Sequence, residues 1–283
     1  MCFLHFAKVK VDYGVIEVGM GGLWDSTNVI VPELSIITNV TLEHTEVLGK
    51  TVAAISEQKA GIIKPNVPVV TGAWDEALQV IKHKAEQTHS AVYAYGTQFE
   101  AGSPRFTAKE QTFTFKTDDN RQEFTIKLLG EHQLINAALA TMAAWLLCSQ
   151  EKTITVEAIR KGLYNTKWPG RLEIIADEPT VILDGAHNPS GITVLRKALD
   201  KYYLKGKRFF VFGMMKDKDI KQVVGILFRP TDKIFTVPAD AGPRAASPEL
   251  LAEAIGPQAE IRHDITAAYQ EALAQATPED TVI

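Results

Sequence analysis

The chain of 283 residues has only two cysteines, no excess of positive charge and no long apolar run. Cys2 and Cys148 stand far apart and match no zinc or thioredoxin spacing, so the chain reads as reduced, without disulfides. Thirty lysines and arginines against thirty-four acids give a net charge of −4. That balance argues against a general nucleic-acid binder, which needs basic charge to neutralise phosphates. A local basic pocket for one nucleotide or a polyanion stays open. The longest apolar stretch, Ala137 to Cys148, falls short of the ~20 residues that span a bilayer. Residues 1–10 carry neither a basic leader nor the apolar core of a signal peptide. The expectation is a cytoplasmic protein without membrane or nucleic-acid partners. There is no internal repeat and no low-complexity segment.

What is there is ordinary globular composition, 46% hydrophobic and 23% charged, over a length sufficient for two cores. Strand-like runs at Tyr13–Val18, Leu34–Val40, Val67–Thr71 and Ala91–Tyr95 alternate with helix-like runs at Val52–Ala60 and Trp74–Gln87. That order predicts an α/β fold with a doubly wound, mostly parallel sheet. The period then changes to two over Phe106–Phe115 and Gln122–Leu129, around Thr117-Asp-Asp-Asn-Arg121, which predicts an inserted antiparallel hairpin. Helices are expected at about Gln133–Leu147 and Val156–Tyr164, before a break at Pro169-Gly170. Alternation restarts with strands at Leu172–Ala176, Thr180–Leu183, Arg208–Phe212 and Lys233–Val237. Helices are expected at Asn188–Leu204, Lys218–Phe228, Pro248–Ile255 and Ile265–Ala274. The reading is a domain over residues 1–168 and a smaller Rossmann-like domain over 169–283. Both ends read as cut: the first strand starts almost at once, and Asp280-Thr-Val-Ile283 reads as a strand just begun.

Five segments carry polar groups where such folds place ligands. Tyr13-Gly-Val-Ile-Glu-Val-Gly-Met-Gly-Gly-Leu-Trp-Asp-Ser-Thr-Asn28 delivers Glu17 from an apolar strand into a glycine loop followed by Asp25, Thr27 and Asn28. A carboxylate there is costly unless a charge sits on it, which suits a metal or phosphate site. The same run also reads as a strand, a tight turn and a helix cap. Ile36-Ile-Thr-Asn-Val-Thr-Leu-Glu-His44 ends a second strand with Glu43 and His44 at the same carboxyl edge; a lone loop histidine is otherwise surface decoration. Lys59, before Ala60-Gly61, reads in isolation as a lysine near a helix C-terminus. Gly130-Glu-His-Gln-Leu-Ile-Asn136 puts His132, Gln133 and Asn136 on the first turns of a helix, as anion contacts or as simple caps. Trp168-Pro-Gly-Arg171 offers a guanidinium fork at the break. Asp184-Gly-Ala-His187-Asn-Pro189 lies in a strand-to-helix turn.

In this order the segments resemble the folylpolyglutamate synthase/dihydrofolate synthase family, a branch of the Mur-ligase-type ATP-dependent amide ligases, over nearly the whole chain. The Glu-Val-Gly loop ending in Asp-Ser-Thr-Asn, Lys-Ala-Gly-Ile, Gly-x-His-Gln-x-x-Asn-Ala, Trp-Pro-Gly-Arg-Leu-Glu and Asp-Gly-Ala-His-Asn-Pro are jointly specific. The resemblance implies a partial Mur-ligase-type ATPase domain followed by the Rossmann-like ligase domain. It implies ATP and two magnesium ions as cofactors, with Glu17 and His44 as ligands of one ion. Lys59 would be carbamylated and serve the second. Asn136, Arg171 and Asp184 would contact nucleotide from both domains, and Asp25 and His187 would assist near the reacting groups. The implied reaction forms a folate acyl phosphate that L-glutamate then attacks, in a monomer with small-molecule partners only.

Three departures accompany the resemblance. Leu23-Trp24 replaces the commoner Arg-Leu, Glu43 stands where Asp is usual, and no Gly-x-x-x-x-Gly-Lys-Ser/Thr phosphate loop occurs in the chain. The expectation is therefore that this polypeptide alone is inactive. Two further readings stay open: a dihydrofolate synthase or bifunctional enzyme acting on dihydropteroate, and a non-catalytic folate- or nucleotide-binding protein.

Overall fold

The computed structural model describes residues 1–148, 153–203, 205–240 and 242–283. The first part contains α1 (Cys2–Val9), β1 (Ser35–Ile37), α2 (Thr45–Leu48), α3 (Val52–Ala60), β2 (Val69–Thr71), α4 (Asp75–Gln87) and β3 (Val92–Ala94). Then come β4 (Glu100–Phe106), β5 (Gln111–Lys116), β6 (Arg121–Ile126), α5 (Glu131–Cys148) and α6 (Val156–Asn165). The last part runs β7 (Glu173–Asp177), β8 (Thr180–Leu183), α7 (Pro189–Tyr202), β9 (Arg208–Phe212), α8 (Ile220–Leu227) and β10 (Lys233–Thr236). It closes with α9 (Pro248–Ile255), β11 (Ala259–Ile261), α10 (Ile265–Gln275) and β12 (Thr281–Val282). Compactness divides the chain into two units. One is Met1–Ala101, Phe115–Gln122 and Ile135–Val156; the other is Gly102–Thr114, Glu123–Leu134 and Glu157–Ile283.

In the first unit β1, β2 and β3 form a parallel sheet in that order. α3 starts where the Thr51 hydroxyl accepts the Ala54 N–H at 3.1 Å. α4 buries Ala77, Ile81 and Ala85, four residues apart on one face. They pack with Ile37, Ile55, Val69 and Ala73 into one core. The strand expected at Tyr13–Val18 is absent: these residues are irregular and Val15 is 97% exposed. Strands exist by pairing, and among the described residues nothing pairs with this run. Residues 2–9, expected as a lead into that strand, instead form α1, which buries no side chain.

β4, β5 and β6 form a three-stranded sheet rather than the expected two-stranded hairpin. The run expected as one strand from Phe106 to Phe115 is broken because the Thr107 hydroxyl accepts the N–H groups of Lys109 and Glu110, curling the chain into a turn. Short turns join all three strands, so neighbours run antiparallel.

The second unit holds a six-stranded sheet in the order β11-β10-β9-β12-β8-β7. All neighbours are parallel except β7 against β8. β12, at the very end of the chain, pairs with both β8 and β9 in the middle of the sheet. Ile182, Phe210 and Ile234 supply apolar side chains for one face and Val181, Phe209 and Phe235 for the other. Helix caps follow the sequence: Asn188, Asp219, Ser247 and Asp264 each accept a first-turn N–H. α7 ends at Tyr202, and Leu204, where its end was expected, lies outside the described residues. Among the described residues no helix is long and apolar enough to cross a membrane.

Candidate functional site

In the first unit the glycine loop lies flat on the last turn of α3. The Leu23 N–H donates to the Gln58 carbonyl at 2.7 Å. The Asn28 side-chain amide donates to the Leu23 and Gly61 carbonyls at 3.1 Å each. Lys64 Nζ donates back to the Asn28 carbonyl at 3.0 Å. The loop thus adds donors to carbonyls at the end of the helix. Close approach requires glycine: a Cβ on Gly22 would sit 2.7 Å from the Gln58 oxygen and 3.1 Å from that of Lys59, and one on Gly61 would strike Leu23. Lys59 is half-buried on the turn that the loop covers.

Asp25 closes the loop on itself. One carboxylate oxygen accepts the Met20 N–H at 3.0 Å, and the other accepts the Thr27 N–H and hydroxyl at 2.9 and 2.6 Å. These bonds, the Thr27 hydroxyl first, hold its pKa at about 2. Asp25 is therefore committed to the loop in this arrangement. Glu17, Glu43 and His44 are exposed, and His44 begins α2 in a left-handed conformation with φ 51°. Among the described residues no group of three or more His, Cys, Asp or Glu side chains is placed to hold a metal ion. Asn136 is exposed on α5.

In the second unit the turn after β8 and the run before β7 lace together. Asp184 accepts the Leu172 N–H through one oxygen and the Ala186 N–H through the other, both at 2.8 Å. The Gly185 N–H donates to the Gly170 carbonyl and the Gly170 N–H to the Glu173 carboxylate, again both at 2.8 Å. Gly170 and Leu172 take left-handed backbone angles, φ 68° and 46°, on either side of Arg171. The exposed guanidinium crosses Gly185, whose Cβ would lie 3.2 Å from Nη1. His187 Nδ1 lies 2.9 Å from the Gly185 carbonyl, which can only accept, so Nδ1 carries the proton. Asn188 then caps α7 by accepting the Gly191 N–H at 2.8 Å.

His132, which the sequence offers as an anion contact or as a cap, feels the charges of this cluster. The residue is exposed at the start of α5, yet partial loss of water lowers its pKa below the ordinary histidine value. Asp184 opposes the fall and Arg171 adds to it. Glu173, which holds Gly170, carries no catalytic pattern in the sequence, and only Trp-Pro-Gly-Arg-Leu-Glu as a whole points to it. The structure brings together Arg171, Asp184 and His187 with Glu173. It places Asp25 and Lys59 on either side of the loop contact, and Glu17 and His44 on exposed backbone.

Comparison with known families matches residues 1–144 to the Mur ligase middle domain and residues 170–283 to the Mur ligase glutamate ligase domain. The chain is 40% identical over 228 residues to the dihydrofolate synthase/folylpolyglutamate synthase of Bacillus subtilis, covering 78% of this chain and 53% of that protein. It is 38% identical over 256 residues to the folylpolyglutamate synthase of Lacticaseibacillus casei, covering 89% and 59%. The solved Mycobacterium tuberculosis folylpolyglutamate synthase complexed with ADP superposes with a TM-score of 0.82 at 27% identity, over 99% of this chain and 66% of that one. The chain thus spans little more than half the length of the two curated relatives.

Proposed function

The chain belongs to the Mur ligase family, and from that premise we propose that it carries the body of an ATP-dependent ligase that adds L-glutamate to a tetrahydrofolate. The observation that supports this most is the laced turn holding Arg171, Asp184 and His187 within the matched glutamate ligase domain. We assign residues 1–168 to the ATP-binding domain and 169–283 to the ligase domain, in a cytoplasmic monomer.

Two steps make the amide. The terminal folate carboxylate attacks the γ-phosphorus of ATP and ADP leaves, giving an acyl phosphate. The glutamate amine then attacks the acyl carbon, phosphate leaves and the nitrogen loses a proton. Asn136, Arg171 and Asp184 contact nucleotide, and Arg171 offsets charge gathering on the transferring phosphoryl group. The relative solved with ADP supports the nucleotide. Asp25 keeps the glycine loop closed and His187 presents a fixed Nδ1–H–carbonyl turn near the reacting groups.

Magnesium prefers oxygen donors and keeps several waters. Glu17 offers a carboxylate with no hydrogen bond or ion pair among the described residues and His44 offers one nitrogen; these two would hold one ion, with water and phosphate completing its shell. Lys59, half-buried on the last turn of α3, would offer oxygen only as a carbamate. The ions supply neutralisation of phosphate charge when bound.

Because these 283 residues hold no phosphate loop, this polypeptide is expected to bind ATP without ligating glutamate. The test measures ATP binding by calorimetry, then ADP and folate products with tetrahydrofolate and L-glutamate. Binding without product supports the reading. Product formation would overturn the inactivity, and absence of ATP binding would overturn the ligase reading. The double name of the Bacillus relative favours a second acceptor, dihydropteroate; displacement of tetrahydrofolate by dihydropteroate would establish it.

A further inference from the structure

We propose that the second unit carries a binding site for a small amphipathic carboxylate, one aromatic ring or short alkyl chain with a single carboxyl group, in the cleft where α8 and α9 end. Arg229 takes the carboxylate and the apolar walls take the ring or chain. The site does not depend on the ligase reading.

The cleft has a volume of about 300 Å³, the size of a small-molecule pocket. Phe228, Pro230, Ile255 and Pro257 line it, with Arg229 and Gln258 as its polar members. The Phe228 ring is fixed by edge-on contacts with Phe210 and Phe212, whose centroids lie 5.1 and 5.2 Å away, so this wall is preformed. Gln258 is half-buried, and its side-chain amide makes no hydrogen bond among the described residues. Arg229 follows α8 and leads into β10. The cleft therefore lies at the amino edge of the parallel strands, opposite the edge where Asp184 follows β8.

Charge complementarity selects the ligand. The guanidinium groups of Arg196, Arg208 and Arg229 all contact Asp200, and Asp232 is the second acid of this cluster. Three cations against two acids leave one positive charge over. The buried Nε of Arg208 also lacks a partner, a second sign that the cluster is short of an acceptor. Arg229 is the member that can take one: its side chain is 42% accessible, against 4% for Arg196 and 15% for Arg208. Its Nη1 donates to the Ile226 and Phe228 carbonyls at 2.9 and 3.2 Å, which anchors the guanidinium at the cleft. Its Nη2 lies 3.6 Å from Asp200, too far for a hydrogen bond, and its Nε makes none among the described residues. The Nε–Nη2 edge can therefore donate the parallel pair of hydrogen bonds that a carboxylate accepts. Such a ligand brings the cluster to neutrality, and its apolar part takes the cleft walls out of water.

The experiment titrates 3-phenylpropionate into the full 283-residue chain and follows the Arg229 Nε–H and the Val224 and Ile255 methyl signals, all at the cleft, by NMR. Saturable shifts confined to the cleft are expected. 3-Phenylpropionamide, which lacks the charge, and acetate, which lacks the ring, should each bind roughly ten-fold more weakly. Arg229→Gln should weaken 3-phenylpropionate by a similar factor. Arg229 also caps α8, so Gln258→Trp supplies a second variant: it fills the cleft, leaves every guanidinium contact in place and should abolish binding. Thermal melts monitor folding. Absence of a saturable shift with 3-phenylpropionate, or shifts spread over the whole chain, would overturn the site. Equal affinity for the amide, or in a folded Arg229→Gln, would overturn the recognition of the carboxylate. Undiminished binding in Gln258→Trp would overturn the location. Each of these outcomes leaves ATP binding and the ligase reading as they stand.

Discussion

Two loops that carry the ligand signals in this chain are closed by the same device, an aspartate gathering backbone N–H groups. Asp25 takes those of Met20 and Thr27, and Asp184 those of Leu172 and Ala186. What lies behind them differs. Asp184 follows β8, which is paired on both sides and backed by Ile182, fully buried. Asp25 follows a run with no paired strand, in which Val15 is 97% and Trp24 84% exposed. The loop over α3 takes its position from Gln58, Gly61 and Lys64 instead. Side chains inherit their precision from the element that carries them. Arg171 and His187 are therefore placed by a sheet, while Glu17 and His44 ride on exposed backbone.

The largest expected effect breaks the support behind one loop and spares the other. Ile182→Ala should cost ~2–5 kcal/mol, because it empties a fully buried site in the six-stranded sheet. Val15→Ala should change stability by no more than ~0.5 kcal/mol. Urea unfolding of both variants measures this. Equal losses would show that residues 13–18 are packed as tightly as β8, and the contrast would vanish.

Next comes the aspartate of the better supported loop. Asp184→Ala leaves two backbone donors without their charged acceptor. Water can reach part of this half-buried turn, so the expected loss is roughly 2 kcal/mol, less than two fully buried bonds would give. Asp184→Asn keeps one accepting oxygen and should fall between. Denaturant midpoints read the stability and calorimetry the ATP affinity. A variant that loses ATP binding at unchanged stability would show that the Gly170–Gly185 and Gly170–Glu173 bonds hold the turn without Asp184.

The same contrast explains which parts were legible in the sequence. Elements with a strong period and their own punctuation were readable: α3 ends at Gly61 as expected, and α7 starts from Asn188-Pro189. β4 and β11 passed unnoticed because neither run is markedly apolar; β4 is mostly exposed and carries Pro104. Tyr13–Val18 misled because an apolar run specifies a strand only together with a neighbour to pair with, and composition does not report neighbours. Family resemblance singled out the residues of both loops. The bonds that give Asp25, Asn28 and Glu173 their local work join residues that only the folded backbone brings together. Asn28 read as a polar group beyond a turn; it seals the end of a helix more than thirty residues later in the chain.

The smallest effect is a pH dependence confined to the less supported loop. Asp25 has its pKa lowered from 3.8 to about 2 by hydrogen bonds from the Thr27 hydroxyl, the Thr27 N–H and the Met20 N–H. A lowered carboxylate pKa means that the folded loop prefers the ionised form. Its contribution is therefore fully present above pH 3.8 and is lost as pH falls through about 2. The carboxylate bonds only within its own loop, so the consequence is local: the Met20 and Thr27 amides should exchange faster across that window while the rest of the chain keeps its protection. Short hydrogen bonds rather than distant charges cause the shift, so added salt should move the midpoint little. Asp25→Asn should remove the pH dependence of the loop and leave the turn around Asp184 untouched. Amide exchange with NMR titration of the Asp25 carboxyl reads both. A midpoint near 3.8 would mean that the Thr27 and Met20 bonds do not persist in solution, and the glycine loop would then be held on α3 by Leu23 and Asn28 alone.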